Sequence, residues 1–155
     1  MIAAKLKHYL SEHHTPFREI LHPHTDTSVQ SAEQAHVPGS QLAKAVILED
    51  TQGPLMAVIP ADYHVDLSSL QRGLQRNLEF ADESELATMF PDCELGAVPP
   101  LGPAYDIPTI WDTALGAQDT VYLEAGDHET LLQLTGRAFH ELMVPAWRGH
   151  FSHHA

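Results

Sequence analysis

The sequence is short of cysteine, of basic residues and of long apolar runs, and each shortage excludes a class of protein. A single cysteine, Cys93, cannot form an intrachain disulfide, which favours a reducing, cytoplasmic location. No apolar stretch approaches the roughly 20 residues of a membrane-spanning helix, so no membrane partner is expected. Only eight Lys and Arg residues oppose 21 Asp and Glu residues. The resulting net charge of −13 argues against DNA and against long contacts with any nucleic-acid backbone.

Metal-binding patterns are also missing, although the chain has 12 histidines. Neither H-E-x-x-H nor C-x-x-C occurs, and the densest groups match no defined zinc motif. Those groups are His13-His14, His22-x-His24 and His150-x-x-His153-His154. We therefore expect no metal site and no other cofactor. The His-rich segment 146–155 is expected to be a flexible tail, as chain ends often are.

A chain of 155 residues is long enough for one domain with a substantial core. Helical spacing and capping residues predict helices over residues 2–13, 29–36, 67–74, 82–90 and 136–143, with Ser28, Asp66, Asp82 and Thr135 as N-caps. Strands are predicted over residues 17–22, 42–48, 55–59, 78–80, 108–112, 120–124 and 130–134. Because hairpins mix with helices, we expect a single α+β domain over residues 1–145 with a mixed sheet.

One stretch interrupts this alternation: Gly96-Ala97-Val98-Pro99-Pro100-Leu101-Gly102. Adjacent prolines restrict the backbone and remove donors, so the segment cannot be a helix or a central strand. It predicts a stiff loop whose free backbone N–H groups suit a carbonyl oxygen or an oxyanion. The expected donors are Ala97, Val98, Leu101 and Gly102. The alternative is an ordinary turn made of turn-forming residues.

Lys44 is the only charged residue in the apolar run 42–48. A strand would place its side chain on the same face as Val46 and Leu48. A lysine in such surroundings needs a counter-charge, a ligand or a route to water. Two interpretations remain: an edge-strand lysine that reaches solvent, or a cation at the mouth of a pocket that binds an anionic or carbonyl group.

Cys93 and an arginine pair are the remaining candidates for chemistry. A nucleophilic Cys93 would need an electropositive setting, but its neighbours Asp92 and Glu94 would raise the pKa of the thiol. Arg72 and Arg76, four residues apart, either contact a phosphate from one helix face or belong to a solvated surface.

Together these features resemble the YbaK/ProX family, the single-domain relatives of the editing domain in bacterial prolyl-tRNA synthetases. The resemblance covers residues 2–143. Its most specific part is the loop 96–102 followed by Ile107-Pro108-Thr109-Ile110, with Lys44 upstream. It implies a mixed, partly closed, barrel-like sheet flanked by helices. It also implies hydrolysis of the ester between a wrong amino acid and the 3′ end of a tRNA.

The resemblance also implies roles for individual residues. Lys44 is similar to the family's active-site lysine, which holds the phosphate or ribose of the terminal nucleotide. Residues 96–100 resemble the Gly-x-x-x-Pro loop, which holds the aminoacyl carbonyl through backbone N–H groups. The implied catalytic residues are Lys44, Gly96 and Ala97. The implied substrate-binding residues are Val98, Pro100, Leu101, Gly102 and Gly126.

The implied enzyme is a trans-acting aminoacyl-tRNA deacylase for small amino acids, whose partners are the tRNA acceptor end and an aminoacyl-tRNA synthetase. Because the ester is already activated, a positioned water and a stabilised oxyanion suffice. Ala45, Ala97, Glu124 and Ala138 depart from residues that are frequent in relatives. These departures leave open a binding module that recognises a nucleotide, a tRNA end or a protein without turnover. A structural or metal-storage role is a third alternative.

Overall fold

The computed structural model describes all of residues 1–155, and three of its six helices begin at the capping side chains that the sequence predicts. The helices are α1 (Ala4–Glu12), α2 (Ser28–Ala35), α3 (Leu67–Leu74), α4 (Glu83–Met89), α5 (Thr113–Gly116) and α6 (Gly136–Leu142). Asp66, Asp82 and Thr135 accept backbone N–H bonds and cap α3, α4 and α6. Helix α2 differs from the prediction, because Thr27 rather than Ser28 caps it. The longest helix has nine residues, and none could cross a membrane.

Ten strands form one large and one small sheet. They are β1 (Arg18–Leu21), β2 (Leu42–Asp50), β3 (Gly53–Pro60), β4 (Tyr63–Val65), β5 (Glu79–Phe80), β6 (Thr109–Asp112), β7 (Thr120–Glu124), β8 (Thr130–Thr135), β9 (Trp147–Gly149) and β10 (Ser152–His154). The order of the large sheet is β1-β8-β7-β2-β3-β6-β9, with β5 added beside β2, while β4 pairs with β10. Pairings β2–β7, β3–β6 and β6–β9 are parallel, and β1–β8, β7–β8 and β2–β3 are antiparallel. The predicted α+β domain with a mixed sheet is confirmed.

The main apolar core joins the large sheet to α1, α6 and the Gly/Pro loop. Leu6 of α1, Phe139 of α6 and Leu101 of the loop are completely buried. Trp111 of β6 packs edge-on against Phe139, with 5.6 Å between ring centroids. Burying a side chain of this size contributes about 1.5–3 kcal/mol. The loop is therefore fastened to the core by its own apolar side chains.

The last ten residues form strands, where the sequence predicts a flexible tail over 146–155. Strand β9 pairs with β6, and β10 pairs with β4. The fully buried Asp112 carboxylate accepts hydrogen bonds from the Phe151 N–H at 3.0 Å and the Ser152 hydroxyl at 2.6 Å. A buried carboxylate without donors would be costly. Asp112 therefore holds the segment in place.

Candidate functional site

A cleft of about 280 Å³ lies where β2, the start of α2 and the Gly/Pro loop meet. Its lining residues are Asp26, Thr27, Ser28, Val29, Lys44, Ala45, Val46 and Gly96. Lys44 and Gly96, two of the three residues that the resemblance implies are catalytic, thus line one cleft. The third contributor, the start of α2, was not expected from the sequence.

Lys44 enters the cleft from β2, which lies between β3 and β7 in the sheet. The structure therefore removes the interpretation of Lys44 as an edge-strand lysine. Its ammonium nitrogen Nζ donates a hydrogen bond to the Ala61 carbonyl oxygen at 3.3 Å. Burial lowers the pKa of Lys44, and the nearby Asp62 carboxylate partly opposes this effect. An ammonium group has three donors, so two remain for a ligand.

The start of α2 adds a second positive field to the cleft. The first N–H groups of a helix lack partners within the helix and carry partial positive charge. Thr27 caps this helix by accepting the Gln30 N–H at 3.2 Å, and Thr27 and Ser28 both line the cleft. An anion in the cleft would therefore meet an ammonium group and a helix N-terminus together, and the Asp26 carboxylate is the acidic side chain of the lining.

The Gly/Pro loop exposes Gly96 to the cleft and buries the residues that follow. The buried residues are Ala97, Val98, Pro100, Leu101 and Gly102. Gly102 approaches Thr109 so closely that a Cβ at position 102 would lie 1.8 Å from the Thr109 hydroxyl oxygen. None of these five belongs to the lining of the cleft. In the structure they support Gly96 from the core side.

The expected row of free N–H donors is only partly present. The Ala97 N–H donates to the Glu94 carbonyl oxygen at 3.1 Å, so the prediction that it is free was wrong. This bond closes a turn at the start of the loop. The N–H groups of Val98 and Leu101 make no hydrogen bond within the protein. The N–H of Gly96 makes no hydrogen bond within the protein either, and Gly96 is the loop residue that lines the cleft.

Gly126 lies in the turn between β7 and β8 and contacts the loop from behind. Its carbonyl oxygen accepts the Glu94 N–H at 2.8 Å. A Cβ at position 126 would lie 3.3 Å from the Cys93 sulfur. Gly126 does not line the cleft, so its contacts hold the start of the loop rather than a ligand in the cleft.

Two buried residues behind Gly96 were not identified as a pair from the sequence. The Glu124 carboxylate oxygen Oε2 lies 3.0 Å from His128 Nδ1, and these side chains are 1% and 2% exposed. His128 Nε2 lies 2.7 Å from the Leu95 carbonyl oxygen. Burial opposes the charged imidazole, but the contacts with Glu124 and Leu95 outweigh it, so the pKa of His128 is raised. The departure at Glu124 was the only sequence signal pointing here.

The other candidates are held in structural contacts. Burial raises the pKa of the Cys93 thiol to about 12, which leaves it protonated and weakly nucleophilic at neutral pH. Arg76 forms a short ion pair with Asp50, 2.6 Å between Nη2 and Oδ1, and also binds the Gly53 carbonyl oxygen. No three His, Cys, Asp or Glu side chains lie close enough together to bind a metal ion.

The sequence matches the family model described as the aminoacyl-tRNA editing domain over residues 22–142. This match covers most of the chain, and the protein belongs to that family. The earlier resemblance is thereby confirmed. No curated protein matches the sequence.

Solved structures share this fold at low sequence identity. A candidate signal-transduction protein from Marinobacter aquaeolei VT8 aligns over 98% of this chain with a TM-score of 0.81 and 22% identity, although the alignment spans only 31% of that protein. The hypothetical protein APE2540 aligns over 96% of this chain and 99% of its own, with a TM-score of 0.83 and 23% identity. A candidate trans-editing enzyme for prolyl-tRNA synthetase aligns over 97% of this chain and 96% of its own, with a TM-score of 0.80 and 20% identity.

Proposed function

We propose that the protein is a trans-acting deacylase that hydrolyses the ester of a tRNA mischarged with a small amino acid. The observation that carries this proposal is the cleft shared by Lys44, the start of α2 and Gly96, in a chain of the editing-domain family. Lys44 and Gly96 are the residues we assign to the reaction. Ala97, Val98, Pro100, Leu101, Gly102 and Gly126 do not line the cleft, and we assign them to maintaining the shape of the loop.

The charge and size of the cleft support this substrate. A lysine ammonium and a helix N-terminus both attract the phosphate of a terminal nucleotide. The volume of about 280 Å³ is at the lower limit of the range for small-molecule pockets. A small aminoacyl group is therefore favoured over a large one, and selection by size is the principle of editing sites.

The reaction needs no protein nucleophile. A water oxygen adds to the ester carbonyl carbon, and the bond from that carbon to the ribose oxygen breaks. The ribose oxygen takes a proton, and the amino acid leaves as the free acid. The Gly96 N–H and the Lys44 ammonium would stabilise the negative charge that develops on the carbonyl oxygen. A protonated Cys93 thiol, with its pKa raised to about 12, agrees with a mechanism in which water attacks.

A binding module without turnover is the second candidate. The net charge of −13 and the departures at Glu124 and Ala138 favour it. With so few basic residues, contact with tRNA would be confined to the acceptor end under either hypothesis. The logarithm of affinity should therefore fall gently with the logarithm of salt concentration. A slope typical of six or more phosphate contacts would contradict both.

The deciding experiment is hydrolysis of a panel of tRNAs mischarged with alanine, serine, threonine or cysteine. The wild type should release at least one of these amino acids, and Lys44→Ala should lose that activity. Lys7→Ala, which removes an exposed lysine from α1, is the matched control and should behave as the wild type. No release from any tRNA by folded wild-type protein would favour the binding module.

A further inference from the structure

The Glu124–His128 pair is built so that both ring nitrogens of the histidine face oxygen atoms. His128 Nδ1 lies 3.0 Å from Glu124 Oε2, and Nε2 lies 2.7 Å from the Leu95 carbonyl oxygen. A carbonyl oxygen can only accept, so Nε2 must carry a proton. If the carboxylate is ionised, Nδ1 is protonated as well, and the ring is an imidazolium. The Nδ1 contact is an ion pair rather than a well-aligned hydrogen bond.

The Glu124 carboxylate has donors directed at one of its two oxygens. Its Oε2 atom accepts long hydrogen bonds from the Ser28 hydroxyl at 3.5 Å and the Ser31 hydroxyl at 3.4 Å. With His128 Nδ1 as the third neighbour, every group that contacts this oxygen can donate. The other oxygen, Oε1, is buried and makes no hydrogen bond, so Oε2 makes all the polar contacts of this carboxylate. The same two serines belong to α2, so the pair connects this helix to the loop.

A second histidine holds the same part of the loop from the solvent side. His24 Nε2 lies 2.7 Å from the Glu94 carboxylate, and this contact raises the pKa of His24. The two histidine rings meet edge to face, with 6.1 Å between their centroids. Residues 94 and 95, immediately before Gly96, are thus held by one exposed and one buried histidine.

We propose that Glu124 is a positioning residue, which keeps His128 as an imidazolium and through it holds the Leu95–Gly96 backbone at the cleft. Gly96 packs directly on this histidine, since a Cβ at position 96 would lie 3.1 Å from His128 Nε2. The inference that Glu124 and His128 form a pair rests on the distances between their atoms. Its effect on turnover rests on the proposed deacylase function.

The charges that face His128 come from three elements. Glu124 lies at the end of β7, Glu94 lies at the start of the loop, and His24 lies in the segment after β1. The two carboxylates favour the imidazolium, whereas a protonated His24 opposes it. Glu124 is the carboxylate in direct contact, and the structure assigns it the dominant role.

The test is a pH titration of His128 ring nitrogens by ¹⁵N NMR in the wild type, Glu124→Gln and Glu129→Gln. Glu129 is the exposed residue next to His128, and its variant removes the same charge while the contacts of His128 with Glu124 and Leu95 stay in place. At pH 7.5 an ordinary histidine with a pKa of about 6.5 is about nine-tenths neutral. In the wild type and Glu129→Gln, a larger fraction of His128 should carry protons on both ring nitrogens. In Glu124→Gln, only Nε2 should carry a proton.

The backbone provides a second readout, independent of activity. Glu124→Gln should shift the amide signals of Leu95 and Gly96 and lower the deacylation rate about tenfold, since small misplacements near the reacting atoms are costly. Glu129→Gln should change neither. If Glu124→Gln does not fold, the proposal can still be tested with the Glu124→Asp variant and with the titration of wild-type His128.

Two results would overturn the proposal. One is a wild-type His128 that titrates at or below the ordinary histidine pKa. The other is an imidazolium that persists at pH 7.5 in Glu124→Gln. Failure of the deacylase function would look different, because the wild type would release no amino acid while the ring and amide signals still responded to Glu124.

Discussion

Replacing Gly96 with alanine should both destabilise the fold and slow the reaction. Gly96 has φ +79°, a left-handed conformation that costs an ordinary residue about 1–2 kcal/mol. The new Cβ would also lie 3.1 Å from the Asp26 carbonyl oxygen and from His128 Nε2. His128 cannot easily retreat because it is held between Glu124 and Leu95. Adding about 1–3 kcal/mol for overpacking, we expect a total loss of about 2–5 kcal/mol.

Gly53→Ala is the matched control for backbone strain alone. Gly53 is the first residue of β3 and has φ +114°, and a Cβ there would meet nothing within 4 Å. This variant should therefore lose only the backbone contribution, about 1–2 kcal/mol. It lies at the opposite end of the hairpin from Lys44, so the deacylation rate of the folded protein should not change.

The two variants should be compared by urea unfolding and by single-turnover deacylation under conditions where both are folded. Gly96→Ala should be about a hundredfold slower than the wild type, the scale expected when reacting groups move by about 1 Å. Two results would refute the reasoning: equal rates for the two variants, or a Gly96→Ala stability no lower than that of Gly53→Ala. The first result would show that Gly96 has no role in the reaction. The second would show that the close contacts of the new Cβ do not lower the stability.

Four further predictions test the core, the C-terminal segment, the buried histidine and the lysine. Leu101→Ala should lower the free energy of unfolding in urea by about 2–5 kcal/mol; a loss under about 1 kcal/mol would deny that this side chain anchors the loop. Ser152→Ala should cost about 1–3 kcal/mol in thermal unfolding because Asp112 loses a donor; an unchanged midpoint would contradict this role. The raised pKa of His128 means that its stabilisation is complete below a pH of about 6.5 and is lost as the pH rises through the raised value. The stability gap between wild type and His128→Gln should therefore narrow towards alkaline pH, and a constant gap would argue against the ion pair. Lys44→Met should abolish deacylation while leaving urea stability unchanged or higher, because burial disfavours the charged lysine; a clear loss of stability would give Lys44 a structural role instead.

Helix starts could be predicted from the sequence where the cap is local. Asp66 accepts the N–H of Ser69, only three residues away, and this spacing is visible in the chain. Ser28 was misassigned because its hydroxyl binds Glu124, a partner far away in sequence. The C-terminal strands were missed for the same reason, since their polar contacts go to the buried Asp112.

The candidate site could be predicted in pieces but not as an arrangement. Lys44 can be recognised because it interrupts an apolar strand. The loop can be recognised because its prolines exclude regular secondary structure. Nothing in either pattern shows that α2 begins beside them. Glu124 and His128 meet across a hairpin turn rather than on one helix face. Neither the helical nor the strand periodicity of the sequence therefore indicates that they form a pair. Their burial depends on α2 and the loop together, which only the folded chain brings into contact.

The order of strands in the large sheet dictates when the cleft can exist during folding. The β2–β3 hairpin is local and carries Lys44, whereas β2–β7 and β1–β8 join distant parts of the chain. Distant pairings form slowly because a long loop must first close. The turn after β7 carries His128, which holds the loop next to Gly96. A nascent chain in which residue 60 but not residue 135 has been synthesised therefore contains Lys44 but lacks the β7–β8 hairpin that holds the loop next to Gly96. The cleft can bind a ligand only when the large sheet is complete.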